Sequence, residues 1–555
     1  MAQHRHTRLI AGTCLTGIAT LVLAACSSGG SSTPTTATGG AVSSITASQV
    51  TTGTAAKDVD AVTWSGDYRP LISLDPIKIP DYPEETAIPN LCEPLLRVAP
   101  DYSTSPGLAA SHTFTDPTTL VIKLRQGVTF SDGSPMTADD VVFSLRRNLD
   151  PQAASAYAAN FATVKTITAT NASTVTITFT QPSPTFPGAL ATLGGAVVQK
   201  KFAEAKGQSF GSPDTGVMCT GPFTFTSYDG STKLVLTRND TYWDTAHKAH
   251  AKTFTFTYPS DNTALVNGLA SGQIQGAFNL PSNLLDQLRS APSGTVYLGG
   301  EGSTPINLDL LMSKATGPGA DPRVRQALSL AIDRQAIAKT VFKGASDPLY
   351  KVVGPGLWGY QKQAFKTAYE QQVKQPDVAA AKALVQQAGA SGATLAFGYP
   401  TGNPQLVQLA TVLKQEAAEI GITLRLVGVP NQQYGALFVD PAARAPYDLL
   451  ITLNYTELPE PLAMDQLVGA KAGGTNFSGY ANPSVQDLLD RASRTADPAA
   501  RAKLLIEAET QLAKDLPSIP IVQPRAIVFQ SNQLTGAPLT FSYMSSPWAA
   551  AIGGK

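Results

Sequence analysis

The chain has 555 residues, with 41 Lys and Arg residues against 41 Asp and Glu residues, so its formal net charge is zero. This balance argues against a basic surface for nucleic acid and against long-range steering of a charged partner. The length suffices for one large multi-lobed body or about three ordinary domains, and the 15% content of charged residues indicates an exported protein with a mildly polar surface.

The N-terminus has the pattern of an export signal. Arg5 and Arg8 precede an apolar run over residues 9–25, which is typical of a secretory signal peptide rather than a stable membrane span. The run ends in Leu-Ala-Ala-Cys, which resembles a bacterial lipobox. That resemblance implies a signal peptide over 1–25, cleavage before Cys26 and lipid attachment to its thiol. The alternative is a plain secretory signal with an incidental cysteine.

A segment rich in Ser, Thr and Gly follows the signal. It has no apolar periodicity, so we expect a flexible, disordered tether over residues 26–57. Such a tether would let a folded body swing above the membrane. No other segment is long and apolar enough to span a bilayer.

The four cysteines divide into two groups. Cys14 leaves with the signal and Cys26 takes the lipid, which leaves Cys92 and Cys219 in the mature body. An even pair in an oxidising compartment predicts a disulfide between them. The alternative is two buried thiols.

Residues 118–147 carry the strongest local pattern in the chain. Leu120, Ile122 and Leu124 recur at every second position, which predicts a half-buried strand. Turn residues follow, and then Thr137 and Asp140 form a capping-box pattern at the start of a helix. The stretch therefore reads as a strand, a turned loop and a capped helix.

The same stretch resembles the signature of the family 5 extracellular solute-binding proteins, the receptors of ABC importers for peptides, nickel and related solutes. The family pattern L-R-x-G-V-x-F-x-D-G-x-P-x-T-A-x-D-V-x-F-S is met at nearly every fixed position. The resemblance extends over residues 59–550. Further stretches that carry it are Leu74-Asp75-Pro76, 91–114, 219–244 and 321–334.

This resemblance implies an α/β fold of two lobes joined by a hinge. It is the two-lobed periplasmic-binding-protein-like fold (type II, cluster C) with an extra subdomain in lobe I. The chain would cross between the lobes twice, which permits hinge bending. The implied segments are lobe I over 58–92 and 218–299, its extra subdomain over 93–217, lobe II over 300–521, and a return to lobe I over 522–555.

The predicted lobe II alternates helices and strands. Asp321 is an N-cap candidate with a proline at the first helical position, and Asp377 begins a helix that Gly389 ends. Apolar residues at helical or alternating spacing predict the other elements. These are helices over 405–420, 484–494 and 498–515, and strands over 422–426 and 447–453.

The resemblance implies a lipid-anchored, monomeric receptor on the outer face of a bacterial cytoplasmic membrane. It would bind a peptide or peptide-like solute, deliver it to the transmembrane subunits of an ABC permease, use no cofactor and catalyse no reaction. The alternatives are a receptor for another small solute, such as a sugar or a metal chelate.

The resemblance also implies candidate ligand-binding residues. In peptide-binding members, the ligand's amine meets an acid in a loop that resembles W-x-A-D-x-x-D-P. Residues 454–461 here read NYTELPEP, so Tyr455 takes the tryptophan's place and Glu457 and Glu460 take the acids' places. The alternative is a solvated acidic loop.

Three further pocket positions carry over from the family. Tyr157 matches the tyrosine of D-P-x-x-A-S-x-Y, Tyr82 follows the entry motif, and Asn279 follows a short strand. We expect each of these side chains to face the cleft between the lobes.

One motif supports a different class of function. Residues 207–211 read GQSFG, which fits the G-x-S-x-G elbow of a serine hydrolase with Ser209 as nucleophile. That motif requires a strand before the serine and a helix after it, whereas the preceding residues look helical. His247 and His250 lie downstream, so a triad stays open as a minor alternative.

Metal chemistry has few candidate ligands. Only His112, His247 and His250 remain in the predicted mature body, and imidazole is the usual ligand of transition metals. We therefore expect no protein-built metal site, which leaves open a metal carried inside a chelator.

Overall fold

The computed structural model describes residues 49–555. The predicted signal peptide, Cys26 with its lipid, and the predicted tether up to residue 48 lie outside the described residues. Within the described range, no helix combines the length and apolarity that crossing a membrane requires.

The strands and helices alternate along much of the chain. In chain order the strands are β1 Val59–Ser65, β2 Leu96–Val98, β3 Thr104–Pro106, β4 Ala109–Asp116, β5 Thr119–Leu124, β6 Val164–Asn171, β7 Thr174–Phe179, β8 Phe223–Tyr228, β9 Lys233–Arg238, β10 Ala251–Thr257, β11 Gly276–Ala277, β12 Gly294–Leu298, β13 Ile306–Met312, β14 Ser346–Pro348, β15 Thr394–Pro400, β16 Thr423–Val429, β17 Leu449–Tyr455, β18 Ser518–Pro524, β19 Ile527–Ser531, β20 Leu534–Thr535 and β21 Gly553–Gly554. The α-helices are α1 Tyr82–Ala87, α2 Ala138–Arg146, α3 Phe186–Ala189, α4 Lys200–Lys206, α5 Asn262–Ser271, α6 Leu285–Arg289, α7 Pro322–Ala331, α8 Arg334–Thr340, α9 Lys362–Glu370, α10 Val378–Gln387, α11 Pro404–Glu419, α12 Asn431–Tyr434, α13 Ala436–Val439, α14 Pro441–Arg444, α15 Pro461–Gly469, α16 Pro483–Arg494 and α17 Pro498–Asp515.

Lobe I is built on a seven-stranded mixed sheet in the order β12-β19-β11-β1-β10-β9-β8. β1 pairs in parallel with both β10 and β11, which places it at the centre of the sheet. Trp64 of β1 is fully buried, and its ring lies 5.1 Å from those of Phe278 and Trp548. Aromatic side chains of this size bury much apolar surface, so this cluster holds the sheet to the C-terminal segment.

The extra subdomain of lobe I contains a four-stranded antiparallel sheet in the order β4-β5-β7-β6. Leu120 and Ile122 of β5 are fully buried, as their alternation predicts. At α2, the Thr137 hydroxyl accepts from the backbone N–H of Asp140, whose carboxylate accepts from the backbone N–H of Thr137. This reciprocal pair satisfies two N–H groups, so the predicted capping box is confirmed.

Lobe II is built on a six-stranded sheet in the order β14-β18-β13-β17-β15-β16. All seven residues of β13 are buried, as expected of a strand covered on both faces. The predicted N-caps are confirmed, because Asp321 accepts from the N–H of Arg323 and Asp377 from that of Ala380. β18 runs to Pro524, so the chain stays in lobe II beyond the boundary predicted at 521.

The two crossings between the lobes lie side by side. The backbone N–H of Gly299 donates to the carbonyl of Ala526 at 2.8 Å, and the N–H of Ala526 donates to the Ser303 hydroxyl at 3.0 Å. A paired two-segment connection of this kind is suited to bending as a hinge.

The start of the described chain is tied to its end. Thr51 bridges Pro538 and Lys57 bridges Gly554, both in antiparallel fashion. The tether was expected to be disordered up to Lys57. Residues 50–57 instead hydrogen-bond to the C-terminal segment, because those backbone groups find partners there.

The structure joins Cys92 and Cys219 in a disulfide, the pair that the sequence predicts. Both residues are buried, and 127 positions separate them in the sequence. The bridge ties the segment after α1 to the segment that leads into β8.

Candidate functional site

The lobes meet at an aromatic seam formed by Tyr82, Tyr455 and Phe541. Tyr455, the last residue of β17 in lobe II, donates its hydroxyl to the carbonyl of Pro80 in lobe I at 2.9 Å. Its ring lies 5.5 Å from that of Tyr82, and the Phe541 ring is 5.7 Å from each. The structure therefore brings two of the sequence-predicted residues together across the lobes.

Beside the seam lies an acid pair, Glu85 and Glu457. Glu85 is on α1 of lobe I and is fully buried, whereas Glu457 follows β17 in lobe II and is partly exposed. The predicted residue Tyr157 is buried and donates its hydroxyl to Oε1 of Glu85 at 2.8 Å. Oε2 of Glu85 has no hydrogen-bond partner among the described residues. The pair therefore keeps an unused hydrogen-bond acceptor where the two lobes meet.

The electrostatics of this pair follow from its burial. Burial, and then the nearby Glu457 carboxyl, raise the pKa of Glu85 well above its usual range, and burial also raises the pKa of Glu457. Two buried carboxyls in contact do not readily both ionise, which favours one proton held between them. A cation placed between them would displace that proton.

Asn279 has its side chain beside Asp67. It is exposed, has a left-handed backbone with φ of 50°, and lowers the pKa of the Asp67 carboxyl through its side chain. Burial outweighs that contact and raises the pKa of Asp67 to about 7. Residues held at positive φ without being glycine often mark functional sites.

Glu460 has a different environment from the other predicted site residues. It is the N-cap of α15, where its Oε1 accepts from the N–H of Leu462 at 3.1 Å and from the Tyr360 hydroxyl at 3.1 Å. Its carboxyl is therefore engaged within lobe II, and we leave it out of the site.

Sequence reasoning missed Glu85 and Asp67. Glu85 follows Glu84 in the first turn of α1, where acids are expected for the helix dipole alone. Glu84 does pair with Arg69 at 2.9 Å, but Glu85 accepts from Tyr157 and lies beside Glu457. Only the fold distinguishes these neighbours, since nothing in the local pattern shows which way each carboxyl points.

The hydrolase motif lacks the geometry that its chemistry needs. Residues 200–206 before Ser209 form a helix instead of a strand, and Ser209 donates its hydroxyl to the carbonyl of Lys206 at 2.9 Å. His247 bonds to Asp244 and Arg97 through Nδ1, and His250 bonds to Asp58. These contacts hold the two imidazoles at other carboxylates, away from Ser209.

A protein-built metal site requires several ligand side chains grouped together. In the range 49–555, no three His, Cys, Asp or Glu side chains are grouped closely enough to hold a metal ion.

The chain resembles a large group of known proteins. Residues 103–476 match the family model described as bacterial extracellular solute-binding proteins, family 5 middle. Protein XP55 of Streptomyces lividans is 28% identical over 440 residues, which cover 75% of each chain. The periplasmic oligopeptide-binding protein OppA of Salmonella typhimurium is 28% identical over 473 residues, which cover 81% of this chain and 84% of OppA.

The fold is also shared with solved structures. The ABC transporter-associated periplasmic binding protein DppA from Helicobacter pylori, in complex with the peptide STSA, superposes with a TM-score of 0.75 at 21% identity. The match covers 90% of this chain and 98% of that one. The architecture described above is therefore that of the two-lobed periplasmic binding proteins, as the sequence predicts.

Proposed function

The chain belongs to the bacterial extracellular solute-binding proteins of family 5, and we propose that it captures a peptide or peptide-like solute between its lobes for an ABC importer. The observation that supports this most is the acid pair, to which each lobe contributes one carboxyl. Unpaired buried carboxyls favour a cationic partner, and a free amino terminus supplies one. OppA, a relative, is named for oligopeptides.

Closure follows from where the two acids lie. A solute ammonium that bonds to Glu457 in lobe II and to Glu85 in lobe I holds the lobes together. The aromatic seam then covers the apolar part of the solute. Shifting such an equilibrium from 1:99 to 99:1 requires a difference in affinity of about 5.5 kcal/mol between closed and open forms. The permease would recognise the closed form, and the solute would be released chemically unaltered.

The cellular setting extends the same proposal. Lipid attachment at Cys26 would anchor the monomer at the outer face of the cytoplasmic membrane, with the segment after it as a spacer. Permease subunits would be its protein partners. A sugar or a metal chelate is the second candidate class of solute, and the acid pair favours an amine over a sugar.

Native mass spectrometry of the protein purified from its own host tests the proposal. We expect a co-purified mass that dissociates on collisional activation and matches an intact peptide or peptide-like amine. Recovery of a neutral sugar, or of a chemically cleaved solute, would contradict it. Small-angle scattering should also show a smaller radius of gyration for the saturated protein than for the free one.

A further inference from the structure

We propose that the crevice takes a solute with two separate cationic groups. One group lies between Glu85 and Glu457, and the other lies at Asp67. The inference rests on the proposed function, because it specifies the solute of the same site.

Asp67 has the features of a ligand-binding carboxyl. Its Oδ1 accepts from the backbone N–H of Tyr68 at 2.8 Å, while its buried Oδ2 has no hydrogen-bond partner among the described residues. Its backbone is left-handed, with φ of 82°, directly after β1. A carboxyl that only capped a turn would not require a second, shielded oxygen without a donor.

A second side chain beside Asp67 is also unsatisfied. Tyr543 is 2% exposed, and its hydroxyl has no hydrogen-bond partner in the described part of the chain. Its ring stacks on Phe278 at 4.2 Å, the residue that precedes Asn279. Asp67 is the carboxyl that acts most strongly on this hydroxyl. A donor from a solute would satisfy both groups together.

The protein supplies no cation to these acids. Among residues 49–555, none of the ion pairs includes Asp67, Glu85 or Glu457. Arg69 lies near Asp67 but is bound by Asp81 and Glu84. Any cation that pairs with these acids would therefore come from the solute rather than from the described part of the chain, and it would ionise carboxyls whose protonated form burial otherwise favours.

Tyr82 lies close to both acidic positions. Asp67, Asp81 and Glu85 all act on its hydroxyl, so the ring lies among them. The ring also packs on Tyr455 and Phe541 of the aromatic seam. An apolar linker along these aromatic faces, with a cation at each end, matches this arrangement.

Two sources supply this shared chemistry: a peptide with a free amino terminus and a basic side chain, or a linear diamine. A neutral peptide would satisfy Glu85 and Glu457 and leave Asp67 buried without a partner, which is unfavourable. We therefore expect the protein to discriminate between peptides by the charge of one side chain.

Calorimetric titration of the full chain with three probes tests the inference. The probes are Ala-Lys-Ala, Ala-norleucine-Ala, which has a side chain of similar length without the charge, and 1,5-diaminopentane. The wild-type protein should bind Ala-Lys-Ala about tenfold more tightly than the norleucine peptide. Asp67→Asn should reduce that ratio to within about twofold. Glu416→Gln is the matched control, since it removes a carboxyl whose pKa burial likewise raises to about 7 but which lies in lobe II beside Asp333.

The outcomes distinguish a failure of the two-cation inference from a failure of the proposed function. Equal affinity of the wild-type protein for the two peptides would overturn the two-cation inference and leave peptide capture standing, and this comparison needs no variant to fold. An unchanged ratio in Asp67→Asn would overturn the role of Asp67. Tight binding of the diamine alone would support two cations and overturn the peptide proposal, whereas binding of no probe would contradict both.

Discussion

Glu85 and Glu93 lie in the same lobe and are both buried, yet their surroundings are opposite. Glu93 accepts from the Tyr242 hydroxyl at 2.5 Å, the Trp243 indole at 2.9 Å and the Thr220 hydroxyl at 3.1 Å. Glu85 accepts only from Tyr157. Burial raises the pKa of both carboxyls, so what separates a structural acid from a candidate binding acid is its complement of donors.

Lobe II shows that a lack of donors is not sufficient by itself. Asp465 is fully buried, and neither of its oxygens has a hydrogen-bond partner among the described residues. It lies beside the ion pair of Lys351 and Glu509, which supplies a positive charge inside the lobe. Glu85 differs because it lies beside Glu457 of the other lobe, and among the described residues no Lys or Arg forms an ion pair with it.

The largest expected effect comes from the disulfide next to Glu93. Replacing both Cys92 and Cys219 with serine opens a loop of 127 residues and should lower the free energy of unfolding by about 5 kcal/mol. Chemical denaturation measures this change. The solute affinity of the folded variant should stay the same. A loss of affinity without a loss of stability would contradict the assignment of a structural role to this region.

Glu93→Gln should have the next largest effect. It removes the charge opposite Arg97, whose guanidinium lies 3.3 Å from Oε1 of Glu93. We expect a loss of about 3 kcal/mol in the free energy of unfolding, because the glutamine NH₂ cannot accept from the buried donors that the carboxylate satisfies, although Arg97 keeps Asp244 as a partner at 2.7 Å. Solute affinity should again be unchanged. A variant as stable as the wild type would mean that Glu93 is not the structural acid described here.

Glu85→Gln should change stability in the opposite direction. The folded pKa of Glu85 is raised, so its favourable contribution is complete below the usual pKa of about 4.3 and is lost as the pH rises toward the folded value. At pH 8 the variant should therefore be more stable than the wild type by about 1–2 kcal/mol, with little difference at pH 4. Denaturation at both pH values checks the sign.

The smallest effect is expected for Tyr157→Phe. It removes one hydroxyl from Glu85 and should lower the free energy of unfolding by about 1 kcal/mol while weakening solute binding. Tyr434→Phe is the matched control, because that hydroxyl donates to the carbonyl of Ile451 inside lobe II at 2.6 Å. Both variants should lose similar stability, and equal loss of solute affinity in both would argue against a local role for Tyr157.

Many strands and helix starts could be predicted from the sequence, because they depend on local patterns of apolar and capping residues. Alternating apolar positions predict β5, and capping residues predict the starts of α2, α7 and α10, where the structure has them. The order of strands in each sheet is not local, and no sequence pattern predicted it. β18 ends at Pro524 and β19 begins at Ile527, so the passage from one sheet to the other is too short to leave a clear signal in the sequence.

Fewer residues of the candidate site could be predicted from the sequence. Tyr82, Tyr157, Tyr455 and Glu457 were expected from the family pattern; the structure packs Tyr82 against Tyr455 and bonds Tyr157 to Glu85, and their role in binding stays a prediction. Glu85 and Asp67 were not found, since the state of a buried carboxyl depends on donors that come from distant parts of the chain. Glu460 is the opposite case. The family pattern predicted it as a site residue, but the pattern did not reveal that its carboxyl caps α15.

Proton release on binding tests the central claim most directly. Titrating the protein with Ala-Lys-Ala at pH 6 in two buffers of different ionisation enthalpy gives the number of protons exchanged. The account predicts that the wild type releases protons as the ammonium replaces the one shared by Glu85 and Glu457, and that Glu85→Gln releases fewer. Binding without proton release in the wild type, or identical release in both proteins, would contradict it.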